Sequence, residues 1–163
     1  MFELTMKLTT ILAAMAILGA LAACTQPDKP RKIINEETEN VVEPTALTVE
    51  LFKDKIMDFE EHPEEWVFKG ERPAIIDFYA TWCGPCKATA PIVAELAAEY
   101  KDEIDFYKVD IDQQPELAQL FGVQSIPTFL FIPQKGMPQT AVGAMDRTDF
   151  EEAIKKVILT KQD

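Results

Sequence analysis

The run Pro73-Ala74-Ile75-Ile76-Asp77-Phe78-Tyr79-Ala80 constrains this chain more than any other stretch. It is apolar at nearly every position, the mark of a strand covered on both faces. Such a strand belongs inside a sheet that carries helices on either side. It leads into Thr81-Trp82-Cys83-Gly84-Pro85-Cys86, and a helix-compatible stretch, Lys87 to Tyr100, follows. If that helix begins within the cysteine motif, Cys83 stands at its exposed N-terminus. Backbone N–H groups and the helix dipole there favour a thiolate over a thiol. A thiolate with a second thiol one turn away is equipped for thiol–disulfide exchange.

A bare C-x-x-C pair has two other uses. One is half of a zinc site, which needs four ligands, two such pairs or a pair plus histidines. The chain has three cysteines and one histidine, and that histidine, His62, lies in an acidic, loop-like segment. The ligand arithmetic argues against zinc, and no metal or other cofactor is expected. The other use is a structural disulfide; the Gly84-Pro85 insert and the preceding strand speak against it.

Further motifs follow in order: Lys87, Ala90-Pro91, Lys108-Val109-Asp110-Ile111-Asp112, Phe121-Gly122-Val123, Ser125-Ile126-Pro127-Thr128 and Val142-Gly143-Ala144. With the strand and the cysteine motif, and with matching spacing, residues 74–157 resemble the thioredoxin family nearly end to end. The resemblance implies a thioredoxin fold: an α/β domain with a mixed central sheet flanked by helices on both faces.

The residues themselves supply the elements. The domain is expected over 47–163, with Thr48 capping a helix whose Leu51, Phe52, Ile56 and Phe59 pack into the core. Trp66-Val67-Phe68 reads as a short strand or a covering loop. Ile104 to Val109 is the next strand, and Pro115 to Phe121 a short helix with proline at an early position. Phe129 to Ile132 and Thr140 to Val142 form a hairpin around Lys135-Gly136. Asp146 to Leu159 closes the domain as an amphipathic helix, with Phe150, Ile154, Val157 and Ile158 on one face. Pro91 inside the helix after the cysteines predicts a kink.

By resemblance, Cys83 is the nucleophile and Cys86, less exposed, the resolving thiol. In such motifs the first thiol's pKa falls to about 7 from about 8.5, which leaves it ionised yet nucleophilic near neutrality. Asp77 is a carboxylate in an apolar run. An outward-facing charge is one reading; burial, with a raised pKa, fits its surroundings better. The family's matching aspartate assists deprotonation of the second cysteine, a role carried here to Asp77 toward Cys86. The matching lysine is Lys108, which lies beside Asp77 and modulates it, or is simply a solvated strand lysine. Ile126-Pro127 resembles the family's cis-proline loop and is also where a strand would start. Trp82, Gly84, Pro85, Ile111, Ile126, Val142, Gly143 and Ala144 match the family's apolar patch for substrate proteins. Tyr79 departs from the tryptophan many relatives carry.

Gly-Pro between the cysteines is the dipeptide of low-potential members, near about −270 mV, whereas strong oxidants lie near about −120 mV. A protein-disulfide reductase is therefore expected. Competing readings are a disulfide oxidase or isomerase, a dedicated reductase for cytochrome c maturation, and a protein-binding module that uses the patch alone.

Leu8 to Ala23 is uncharged and apolar, follows Lys7, and ends Leu21-Ala22-Ala23-Cys24. That is the outline of a signal peptide over 1–23, with Met6-Lys7 a more typical start than Met1-Phe2-Glu3. The ending resembles a bacterial lipobox, which makes Cys24 a lipidation site. Residues 24–46, with Pro27, Pro30, Pro44 and Glu36-Glu37-Thr38-Glu39, read as a flexible tether. The expectation is an extracytoplasmic, periplasmic-side monomer anchored to a membrane and fed electrons by a membrane thiol donor. The net charge of −12 argues against nucleic acid.

Overall fold

The computed structural model of the chain describes residues 42–159. The expected signal peptide, Cys24 and residues 24–41 of the expected tether lie outside the described residues. In chain order the elements are β1 (Thr45–Ala46), α1 (Val49–Lys55), β2 (Ala74–Tyr79) and α2 (Gly84–Glu99). Then come β3 (Asp105–Asp110), α3 (Pro115–Leu120), β4 (Thr128–Ile132), β5 (Gln139–Val142) and α4 (Arg147–Ala153).

The strands form a five-stranded sheet in the order β1-β3-β2-β4-β5. β2 lies at its centre, parallel to β3 and antiparallel to β4, with Asp77 level with Lys108 on one side and Phe129 on the other. The apolar run is thus the middle strand of a mixed sheet, as its two-sided hydrophobicity requires.

Alternation along β2 divides the core. Ile76 and Phe78 join Phe52, Ile56, Val109 and Leu117 on the side of α1 and α3. Ile75 joins Val93, Leu96, Phe129, Phe150 and Ile154 on the side of α2 and α4. Each fully buried Ile or Phe contributes about 1.5–3 kcal/mol of transfer free energy. Asp77 shares the parity of Ile75 and so faces the α2 side.

Two boundaries differ from expectation, and of the two readings of Trp66-Val67-Phe68 the covering loop holds. The sheet starts before Leu47: Thr45 and Ala46 pair with Tyr107 and Lys108 of β3, so the last tether residues belong to the domain. Both are exposed, and the edge is built from backbone bonds with no apolar signal. Trp66-Val67-Phe68 is a covering loop, its Trp66 ring stacked with Phe68 at 6.4 Å and edge-on to Phe121 at 6.3 Å. The closing helix is α-helical only to Ala153; Ile154–Ile158 form a π turn that keeps Ile154, Val157 and Ile158 buried. Leu159 N–H donates to the Ile154 carbonyl, five residues back, at 3.0 Å. Thr48 caps α1 as expected, accepting from Leu51 N–H at 3.2 Å.

Candidate active site

The cysteine pair sits where β2 gives way to α2. Cys83 N–H donates to the Ala80 carbonyl at 3.1 Å, which closes the turn. Cys83 is the N-cap of α2, in extended conformation, and its Sγ accepts from Cys86 N–H at 3.2 Å. Pro85 occupies the first turn, where a missing N–H costs no hydrogen bond. Cys83 and Cys86 are joined by a disulfide, with Cα atoms 5.3 Å apart.

The expected contrast in exposure between the cysteines is absent: each is 4 % exposed. The bonded sulfurs shield each other, and Ala80, Tyr79, Ile111 and Ile126 pack around them. They differ instead in what they face. Cys83 Sγ lies 3.8 Å from the Ile126 carbonyl oxygen. Cys86, and not Cys83, lines a cavity.

The Ile126–Pro127 bond is cis, and Pro127 is buried directly ahead of β4, so both readings of that proline apply. Its carbonyl accepts from Gly143 N–H at 2.8 Å, which ties Val142-Gly143-Ala144 to the loop. Gly143 has φ +103°, a backbone conformation that side chains disfavour. Trp82 and Val142 are 66 % and 67 % exposed; Gly84, Pro85 and Ala144 are also exposed, and Ile111 and Ile126 half-buried. The Trp82 indole N–H donates to the Asp112 carboxylate at 2.8 Å. In the sequence Asp112 is only the last residue of the motif Lys108-Val109-Asp110-Ile111-Asp112. Its tie to Trp82 spans 30 residues and leaves no local signal.

Asp77 lies beneath this surface. It is 7 % exposed, and its Oδ1 is buried with no hydrogen-bond partner. Burial pushes its carboxyl up to about 7, against a smaller opposing pull from the Lys108 ammonium. Asp77, Cys86, Tyr79, Pro91, Lys108 and Glu43 line one cavity of about 560 Å³. Lys108 stands level with Asp77 in the parallel register; its Nζ binds Glu43 at 2.7 Å and its side chain is 31 % exposed. Among the described residues no cluster of His, Cys, Asp or Glu is arranged to hold a metal ion.

A helix-capping cysteine, a disulfide partner one turn on and a buried carboxyl behind it define the site of a disulfide oxidoreductase. The family model described as Thioredoxin matches residues 53–156. A thioredoxin of Borreliella burgdorferi is 50 % identical over 110 residues, covering 68 % of this chain and 93 % of that protein. A chloroplastic M-type thioredoxin of Pisum sativum is 40 % identical over 95 residues, 58 % of this chain and 55 % of that one. The crystal structure of a Malassezia sympodialis thioredoxin superposes with a TM-score of 0.56 at 31 % identity, covering 72 % of this chain and 93 % of that one. The chain belongs to the thioredoxin family and is a thioredoxin-type disulfide oxidoreductase. Its fold class is the one the motifs implied, and proteins of this family act on disulfide-containing substrate proteins.

Proposed function

We propose that this protein reduces disulfides in extracytoplasmic proteins, with Cys83 as nucleophile and Cys86 as resolving thiol. The observation that carries the reading is Cys83 capping α2, its sulfur facing the patch side, with the Asp77 cavity behind Cys86. The N-terminal dipole of α2 and the Cys86 N–H favour the Cys83 thiolate. That thiolate attacks one sulfur of a substrate disulfide; a mixed disulfide forms and one substrate thiolate leaves. Asp77, as carboxylate, takes the Cys86 proton. The Cys86 thiolate then attacks Cys83 Sγ, the second substrate thiolate leaves and is protonated, and Cys83–Cys86 forms. Two electrons pass from the dithiol to the substrate.

Lys108 modulates Asp77 through charge. Trp82, Gly84, Pro85, Ile126, Pro127, Val142, Gly143 and Ala144 present the docking surface, on which backbone and apolar contact replace side-chain specificity. Gly84-Pro85 supports the reducing direction over oxidase or isomerase activity.

The extracytoplasmic setting rests on the sequence of the N-terminal region. The apolar run 8–23 and Leu21-Ala22-Ala23-Cys24 support a signal peptide and a lipidated Cys24. Two or more acyl chains suffice for stable anchoring. A reductase in an oxidising space draws electrons from a donor, here a membrane thiol protein, and the domain works as a monomer.

Insulin reduction tests the activity: the wild type should turn over, and Cys83→Ser should not. Equal activity in Cys83→Ser would overturn the enzymatic reading in favour of a binding module. A measured potential near −120 mV would make the protein an oxidant. Mass spectrometry of the mature protein should find acyl chains on Cys24; an unmodified Cys24 would remove the anchor.

A further inference from the structure

We propose that Glu43 is a positioning residue for the redox cycle, holding the Lys108 ammonium at the rim of the cavity and off the Asp77 carboxyl. The proposal rests on the reading of Asp77 as the proton acceptor for Cys86. It starts from a mismatch. Asp77 and Lys108 are level in adjacent parallel strands and line the same cavity. An ammonium so placed is the natural partner for a buried carboxylate. Yet Asp77 Oδ1 has no hydrogen-bond partner, and Lys108 Nζ is bound by Glu43 Oε2 at 2.7 Å.

Glu43 stands two residues ahead of β1, and the pairing of Thr45 and Ala46 with Tyr107 and Lys108 brings it to the site. It lines the cavity together with Asp77 and Cys86. The other titratable or charged groups on that lining are Tyr79 from β2 and Lys87 and Glu95 from α2. Among the described residues none of these is hydrogen-bonded or ion-paired to Asp77, and Glu95 is engaged by Arg147.

The consequence concerns proton traffic. An Asp77 salt-bridged to Lys108 would be ionised well below neutrality and a poor proton carrier there. By engaging the ammonium, Glu43 weakens its pull while leaving it within electrostatic reach. Asp77 then exchanges its proton near neutrality, where burial outweighs the remaining pull of the Lys108 ammonium. The segment just ahead of the sheet thereby takes part in the chemistry of Cys86.

The test is the titration of Asp77 in the full chain, read from its side-chain carboxyl carbon by NMR with the disulfide intact. Glu43→Gln frees Lys108 and should lower the Asp77 midpoint by about half a pH unit or more. The acid limb of insulin turnover should move with it. Lys108→Met should raise the midpoint, and in that background Glu43→Gln should have little further effect. A midpoint unchanged by Glu43→Gln would overturn the proposal. So would an equal shift with Lys108 absent, since Glu43 would then act by its own charge. Folding of each variant is read in the same spectra. Failure of the underlying reading looks different: Asp77 would titrate as proposed while turnover ignored its protonation state.

Discussion

The two faces of β2 were built from alternate residues of one strand, and they do opposite things. On the α1–α3 side, Ile76 and Phe78 are sealed among the apolar side chains of Phe52, Val109 and Leu117. On the α2 side, Ile75 is equally buried, but the next position on that face is Asp77, and a cavity opens between it and Cys86. One face supplies stability. The other gives up packing, and leaves a carboxyl unpartnered, directly behind the disulfide. A buried group without a partner is a standing cost, and such costs cluster where chemistry needs them.

Substitutions on the two faces should therefore differ in sign and in pH dependence. Phe78→Ala, on the sealed face, should cost about 3–5 kcal/mol by cavity formation, at all pH values where the protein folds. Denaturant unfolding at two pH values checks this, and a loss that varied with pH would break the contrast. Asp77→Asn should do the reverse. The folded-state pKa of Asp77 is raised from 3.8 to about 7, so the folded protein holds a proton the unfolded chain has released. That stabilising contribution is complete below the unfolded value and is lost as pH rises through about 7. At about pH 8, where the wild type carries a buried charge, Asp77→Asn should be more stable by about 2–4 kcal/mol. Below about pH 4 the difference should vanish. The same variant should resolve mixed disulfides more slowly, with a flattened pH–rate profile, because the proton acceptor is gone.

The smallest effect is expected at the surface. Asp112→Ala releases the Trp82 indole N–H from its carboxylate acceptor, an exposed hydrogen bond of about 1 kcal/mol. Turnover of protein substrates should fall less than tenfold, with a change in Trp82 fluorescence and little change in melting temperature. A loss as large as that from Cys83→Ser would mean that Trp82 does more than present an apolar face.

What the sequence made legible follows from range. The run 73–80, the helix after Cys86 and the hairpin strands are written in local apolar pattern, and they stand within a residue or two, except for the helix start, which was open and falls at Gly84. Asp77 stood out because a lone charge in a two-sided strand is anomalous, and it is buried and perturbed in the fold. The fold brings motif residues far apart in sequence together: Cys83 faces Ile126, and Pro127 binds Gly143. What stayed hidden was carried by backbone or by distance. β1 is two exposed residues held by ladder bonds. The partnership of Glu43 with Lys108 spans 65 residues and is meaningless until the strands pair. The equal burial of the two cysteines depends on the Ile126 loop and on the bonded sulfurs themselves, neither of which a motif describes.

One trapping measurement bears on the central claim, that the patch-side sulfur attacks and the cavity-side sulfur resolves. Cys86→Ser, mixed with a disulfide-containing protein, should accumulate a mixed disulfide on Cys83, identified by mass spectrometry of the linked peptide. Recovery of no adduct, or of an adduct on Cys86 when Cys83 is the residue replaced, would contradict the assignment.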